Sequence, residues 1–154
     1  MSDRFDTWYR DPSDPHRLSG RVVGQLGSFE QFLLWALRRR VADGGRTSAV
    51  LVHGFRLAFG LAYLEPALAA FEAFCDCLER RGVRDFGLLP LRCPCVSTDE
   101  ERLLELVFSV RRGKAEALAR ALVADAAPEL LARARELGAF RWRAELSRED
   151  AGFG

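Results

Sequence analysis

The sequence predicts an all-α, single-domain protein: a bundle or orthogonal array of about six helices with flexible N- and C-terminal arms. Apolar residues recur at helical spacing in several segments, and Ser, Gly and Pro residues mark the ends of those segments. A length of 154 residues with 49% apolar residues is typical of one globular domain. We therefore divide the chain into an N-terminal arm (1–20), a helical domain (21–140) and a polar C-terminal tail (141–154).

The first two helices of this domain are bounded by clear stop and start signals. Ser28 begins the first helix, with Gln31 at the spacing of a capping box, and the run 43–45 (Asp-Gly-Gly) ends it. The second helix covers residues 48–61 and is apolar nearly all round, which predicts a central, buried position. Because Val50 and Val52 are β-branched, a strand over residues 49–53 is the alternative.

Four further helices are predicted after a restart at a proline. Pro66 suits the first turn of the third helix, which ends at Gly82, and a loop follows over residues 83–96. The remaining helices begin at Ser97 or Thr98 (with Glu100 or Glu101 completing a capping box), at Lys114 and at Pro128, and the last one closes at Gly138.

The charge balance gives no general attraction to nucleic acid. Net charge is +1, asparagine is absent, and all basic residues except Lys114 and the histidines are arginines. The basic clusters, 38–40 and 111–114, are placed in or just after the last turn of a predicted helix, where the helix dipole favours cations. Binding to nucleic acid is therefore not expected, and a small nucleic-acid-associated regulator is the second alternative function.

The termini and the apolar stretches predict a cytoplasmic, bacterial-type protein. The charged N-terminus has no apolar signal region, and the apolar stretch 49–64 is interrupted by His53 and Arg56 and is shorter than the ~20 residues of a membrane span. We accordingly expect no membrane association and four reduced cysteine thiols. His53 and Arg56 are the strongly polar residues of a helix predicted to be buried. We interpret them as a core histidine with a polar partner, or as an arginine whose stem packs while its charged head reaches water.

One short segment resembles an enzyme family. Residues 50–55 (VLVHGF) resemble the strand and His-Gly oxyanion loop of α/β-hydrolases over six residues. That family also needs a serine in a Gly-x-Ser-x-Gly elbow and a histidine later in the chain, and this sequence has neither, since His16 precedes the segment. The sequence therefore contains no complete catalytic motif.

The four cysteines form two Cys-x-Cys pairs with different expected roles. Cys75 and Cys77 lie on a predicted helix, where residues two apart point in different directions, so we interpret Cys75 mainly as a core residue. Cys93 and Cys95 lie on a loop just before a helix start, which predicts lowered thiol pKa values, helped by Arg92. Such a loop can simply pack on the core, which is the structural interpretation of this pair. Alternatively, the pair forms a strained disulfide or holds zinc together with Cys75 or His53, so a zinc- or thiol-dependent, redox-sensing protein is the first alternative function.

The leading hypothesis is a non-enzymatic helical module that binds a protein partner or a second copy of itself. No phosphate loop, dinucleotide fingerprint or catalytic set is present, and no cofactor is expected apart from the zinc considered above. Trp8 and Tyr9 in the N-terminal arm and Trp142 in the tail are the candidate partner-binding residues, because aromatic side chains often anchor interfaces. A groove between helices is the other candidate surface.

Overall fold

The computed structural model describes residues 17–83, 86–109 and 112–153, and it describes side chains as far as Phe140 with the exception of Arg112. This part of the chain is mostly helical with a small two-stranded sheet, which confirms the predicted helical class but not the predicted number of about six helices. The sheet was not predicted. The elements are β1 (Leu18–Val22), α1 (Ser28–Ala42), α2 (Ala49–Arg81), β2 (Cys95–Ser97), α3 (Thr98–Phe108), α4 (Arg112–Val123) and α5 (Ala127–Phe153), with single 3₁₀ turns at Val23–Gln25 and Ala124–Ala126.

The chain forms two compact units, each built from two separate segments. The first unit combines residues 1–46 with 84–105, and the second combines residues 47–83 with 106–154. Trp8 and Tyr9 lie outside the described residues, as does most of the predicted N-terminal arm.

In the first unit, β1 and β2 pair in an antiparallel sheet although they are far apart in sequence. Leu18 lies opposite Ser97 and Val22 opposite Cys95, with an irregular register between them. The Val23 N–H donates to the carbonyl of Pro94 at 2.7 Å, which extends the pairing beyond the strand itself. Strand β1 thus begins within the segment predicted to be an arm, and β2 continues the segment predicted to be a loop.

Helix α1 starts at the predicted residue but with a different cap. Gly27 occupies the N-cap, and no side chain caps the helix. Gln31 does not form the predicted capping box, because its side-chain amide donates to the carbonyl of Leu26 at 2.9 Å. The apolar stripe of the helix is buried as predicted, at Phe29, Leu33, Leu34, Ala36 and Leu37.

Helix α3 has the capping box predicted from its sequence. The Ser97 hydroxyl accepts from the Glu100 N–H at 3.0 Å, and the Glu100 carboxylate accepts from the Ser97 N–H at 2.9 Å. Of the two predicted capping pairs, the structure uses Ser97 with Glu100. Both residues are completely buried, so this helix start lies inside the first unit.

In the second unit, α2 is two helical arms joined by a sharp break at Gly60. The backbone of Gly60 has φ 76° and ψ 172°, a conformation that strongly favours glycine. Phe55 and Phe71 would lie about 24 Å apart along a straight helix. Their ring centroids are 5.1 Å apart, so the chain folds back at Gly60 and the two arms pack against each other.

The break at Gly60 modifies two predictions about this segment. The helix begins where it was predicted, with Ser48 as its N-cap, whose side chain accepts from the Leu51 N–H at 3.2 Å, and no strand forms at residues 49–53. The second arm restarts directly after Gly60, so Pro66 lies inside a helix and not in its first turn. Among the described residues α2 is long and apolar enough to cross a membrane, but that length is the sum of two arms that fold back on each other.

Phenylalanine side chains dominate the core of the second unit. Phe59 contacts Phe55 on its own arm, with centroids 5.6 Å apart, and Phe140 of α5 edge-on, with centroids 6.0 Å apart. Helix α5 does not end at Gly138 as predicted but continues to Phe153 through the segment assigned to a tail. Gly138 has a packing role, because a Cβ at this position would lie 2.5 Å from the carbonyl oxygen of Val107.

Candidate functional site

The polar centre of the first unit is a buried ion pair between Arg38 of α1 and Glu100 of α3. The Arg38 Nε and Nη2 atoms donate to the two carboxylate oxygens of Glu100 at 2.7 and 2.8 Å, in a bidentate arrangement. Both side chains are almost completely buried. Glu100 also accepts from the Leu89 N–H at 3.1 Å and from the N–H of Ser97, so each carboxylate oxygen has two donors.

The same guanidinium group holds the backbone on both sides of Pro94. Arg38 Nη1 donates to the carbonyl oxygen of Cys93 at 2.8 Å, and Nη2 donates to that of Cys95 at 2.6 Å. The Cys93 N–H closes a tight turn by donating to the carbonyl of Pro90 at 3.0 Å. The Cys93-Pro94-Cys95 segment, which we name the dithiol turn, is therefore fixed by hydrogen bonds to its backbone.

The two thiols of the dithiol turn interact with each other and are half-buried. Partial burial, followed by the neighbouring Cys93 thiol, raises the pKa of Cys95, while Arg38 acts in the opposite direction. The direction is opposite to the lowered pKa predicted from the nearby helix start. One reason is that the side chains of Ser97 and Glu100 already accept hydrogen bonds from the N–H groups at that helix start. In addition, the Arg38 guanidinium donates its hydrogen bonds to backbone carbonyl oxygens and to Glu100 and not to the thiols.

The other proposed metal ligands lie elsewhere in the fold. Cys75 and Cys77 are buried on the second arm of α2 in the second unit, and His53 is exposed on its first arm. Burial, and then the charge of Glu129, raises the pKa of Cys77. Across the described residues, no group of three or more His, Cys, Asp or Glu side chains is placed to hold a metal ion.

A second candidate surface is an exposed apolar face formed by the first arm of α2 and by Leu61, which follows the break at Gly60. Leu57 and Leu61 are 73% and 71% exposed, and Val50 is 52% exposed. We name these three residues, together with Gly54, the α2 apolar face. The opposite side of the same arm carries the buried residues Leu51, Phe55 and Phe59.

The prediction that this helix is buried all round is therefore wrong, and so is the interpretation of His53 as a core histidine. His53 and Arg56 are exposed beside the α2 apolar face, where water can solvate them, so they need no buried partners. One apolar side of the arm packs in the core while the other faces outward. Periodicity could not distinguish the two sides because both are apolar.

A groove between α4 and α5 is lined by Glu116, Arg120, Leu131 and Arg135, among others. It has a volume of about 380 Å³ and is open to solvent. The carboxylate of Glu116 lies in the same lining as two arginines, which makes the groove a poor site for an anion. We therefore place no ligand there.

The first basic cluster lies at the helix end that the sequence predicted, with Arg39 and Arg40 in the last turn of α1, whereas the second cluster does not. Arg38 is buried in the ion pair described above, and Arg39 is paired with Asp43 through two hydrogen bonds of 2.9 and 2.7 Å. Helix α4 begins at Arg112, so Lys114 lies in a first turn, where the helix dipole does not favour a cation.

Sequence reasoning missed Arg38, although a signal was present. It follows Leu34 by four residues, on the face of α1 that is buried. A charged residue at such a position requires a buried partner of opposite charge. Trp142 lies within α5, but its side chain is outside the described part of the structure, so its predicted role stays a prediction.

Comparison with known proteins gives no independent information on function. No protein-family model, curated protein or solved structure matches this chain. The dithiol turn and the α2 apolar face are therefore interpreted from their own geometry and chemistry.

Proposed function

We propose that this chain is a non-enzymatic interaction module that binds an acidic amphipathic helix of a protein partner on the α2 apolar face. The observation that carries the proposal is the exposure of Val50 and Leu57 on an arm whose other side is already packed, together with that of Leu61 just beyond the break at Gly60. Single exposed apolar residues are ordinary, but several on one helix face are typical of an interaction surface.

The spacing of the face suits a helical partner. Val50, Gly54 and Leu57 follow one another at four and three residues, the interval at which side chains align along one side of a helix. Gly54 has no side chain, which lets a partner backbone approach closely. Leu61 extends the exposed patch beyond the break at Gly60.

The charges beside the face favour a partner with acidic flanks. His53 and Arg56 are exposed next to it, and residues 49–64 contain no Asp or Glu. Electrostatic complementarity selects partners by sign, and like charges brought together across an interface are unfavourable. A second copy of this chain would add another Arg56, so a partner with Glu or Asp beside its apolar stripe fits better.

The test uses two synthetic amphipathic helices with the same leucine stripe, flanked by glutamate in one peptide and by lysine in the other. We expect the full chain to bind the glutamate peptide several-fold more tightly, with a preference that decreases as salt screens the exposed charges. Leu57→Ser should weaken binding at least about tenfold, as removal of a central apolar contact does. Val41→Ser, at a residue of the first unit that is 54% exposed, is the matched control and should leave binding unchanged.

The same protein samples test whether a second copy of this chain occupies the face instead of a partner helix. Sedimentation of the wild-type chain without peptide should give a monomer. A dimer that Leu57→Ser dissociates would assign the face to a second copy and overturn the proposed partner. Equal affinity for the two peptides would contradict the proposed selection of an acidic partner by the charges beside the face. Trp8, Tyr9 and Trp142 stay additional candidate anchors, tested by substituting each with Ala in the same assay.

A further inference from the structure

We propose that the dithiol turn is a preorganised site for a soft cation that accepts two thiolate ligands, such as Cu(I). The site consists of the Cys93 and Cys95 side chains, with Arg38 as the positioning residue that holds the backbone between them. All three residues belong to the first unit, and this proposal does not depend on the protein partner proposed for the α2 apolar face.

The backbone geometry places the two thiols on one side of the turn. The carbonyls of Cys93 and Cys95 both accept from the Arg38 guanidinium, while the carbonyl of Pro94 between them accepts from Val23. Pro94 lies in a bend directly before β2, and the side chains of Cys93 and Cys95 on either side of it lie within hydrogen-bond distance of each other. The mutual interaction of the two thiols agrees with this arrangement.

The turn is also held in this geometry before any ligand binds. Pro94 fixes its own φ angle, and Arg38 is in turn fixed by its bidentate pair with Glu100. Both cysteines remain half-buried, so their thiols are accessible from solvent. A ligand therefore meets two sulfur atoms whose ordering requires little further loss of entropy.

The number and type of ligands favour a soft cation of low coordination number. Thiolates select soft ions such as Cu(I), whereas structural zinc takes four ligands. Among the described residues no third His, Cys, Asp or Glu completes a set with these two. The four-ligand zinc site expected from the sequence is therefore not assembled in the described part of the chain, while a two-thiolate site is.

The binding reaction balances without a redox partner. Two S–H bonds break, two Cu–S bonds form and two protons leave, so Cu(I) and two thiols give an anionic bis-thiolate complex. The nearby Arg38 guanidinium favours the negative charge that results.

The experiment is an anaerobic titration of the full chain with Cu(I) in competition with a coloured Cu(I) chelator. We expect one Cu(I) per chain and the loss of two titratable thiols. Cys93→Ser and Cys95→Ser should each weaken binding by more than about a hundredfold, since one of two ligands is removed. The double variant Cys75→Ala/Cys77→Ala removes the other Cys-x-Cys pair, which is helical and buried, and should bind as the wild type does.

Two further measurements keep the test decisive if a serine variant fails to fold. X-ray absorption of the wild-type complex should show two sulfur ligands. Pro94→Gly keeps both thiols but loosens the turn, and should weaken binding about three- to tenfold. Copper bound equally well by both serine variants, or a Cys93–Cys95 disulfide with no copper retained, would overturn the proposal.

Discussion

At the scale of single residues, the feature most sensitive to substitution is the buried pair of opposite charges, Arg38 and Glu100. Arg38 is 3% exposed and Glu100 is fully buried. Buried ion pairs contribute little net stability, because the loss of hydration offsets the attraction, but removal of one member leaves the other uncompensated. Glu100 is further committed to the capping box and to Leu89, so it cannot move away from an altered Arg38.

Arg38→Met should therefore lower the free energy of unfolding by about 3–5 kcal/mol. The double variant Arg38→Met/Glu100→Gln should recover part of this loss, because the neutral amide still accepts from the Ser97 N–H without carrying a buried charge. Arg133→Met is the control: its pair with Glu136 is exposed at 3.4 Å, and the change should stay within about 0.5 kcal/mol. Urea denaturation followed by circular dichroism measures all three, and similar losses for Arg38→Met and Arg133→Met would contradict the assignment.

The same residue shows what sequence reasoning can predict and where it stops. The capping box at Ser97 and Glu100 was predictable because both partners lie within one turn of each other. The pair of Arg38 with Glu100 joins residues 62 positions apart, and local patterns carry no information on such a contact. The dithiol turn was identified as a candidate from its spacing, but the pKa of Cys95 is raised by burial and by the neighbouring Cys93 thiol, against the opposing effect of Arg38.

At the scale of elements, local signals predicted helices well and long-range pairing poorly. The start of α1, the N-cap at Ser48 and the start of α3 follow from caps and periodicity. Strand β1 has only a short apolar pattern, and its pairing with β2 brings together segments about 75 residues apart. A glycine inside an apolar run has two possible roles that the sequence does not distinguish. Gly138 allows the backbone of another helix to approach closely, whereas Gly60 allows the chain to reverse its direction.

Gly60→Ala tests the reversal in α2. A Cβ at this position meets no atom within 4 Å, so the cost arises from the positive φ of 76° alone. We expect a loss of about 1–2 kcal/mol, typical of a non-glycine residue forced into this conformation. Gly113→Ala is the matched control, because it is equally open but helical, and should be neutral or stabilising by up to about 1 kcal/mol. A gain in melting temperature for both variants would show that α2 can continue straight through residue 60.

Gly138→Ala tests the close approach in the second unit. In an unconstrained helix this substitution would be stabilising by about 1 kcal/mol. Here the added methyl group would lie 2.5 Å from the Val107 carbonyl oxygen, which belongs to the backbone and cannot rotate away. We expect a net loss of about 1–3 kcal/mol, as found for overpacked cores, with α5 displaced from Val107. Thermal unfolding measures the loss, and a stability equal to that of the wild type would mean that α5 does not pack this closely.

At the scale of the whole molecule, the order of segments along the chain sets how the two units are built. Each unit combines two segments separated by a segment of the other, so neither unit corresponds to a continuous piece of sequence. The polar network lies in the first unit and the phenylalanine cluster in the second. Substitutions in the full chain are thus the appropriate way to study either unit, since truncation would remove part of both.

The global stability of the chain should fall at alkaline pH because of the buried Cys77 thiol. Burial raises the pKa of Cys77 above the ordinary cysteine value of about 8.5. The folded chain therefore holds this proton more tightly than the unfolded chain does. Its contribution is fully present below the unfolded pKa and is lost as pH rises through the folded pKa, at a slope of at most about 1.4 kcal/mol per pH unit.

Cys77→Ala separates this effect from other alkaline titrations. The variant should be less stable than the wild type at pH 7 by about 1 kcal/mol, because a small buried group is lost. Its free energy of unfolding should then decrease less steeply than that of the wild type above about pH 8.5, where the Cys77 thiol no longer contributes. Urea titrations at pH 6 to 10 under reducing conditions measure both curves. Parallel curves across the whole range would contradict this prediction, because they would show that Cys77 ionises as readily in the folded chain as in the unfolded one. Burial in the core of the second unit is the reason to expect the opposite.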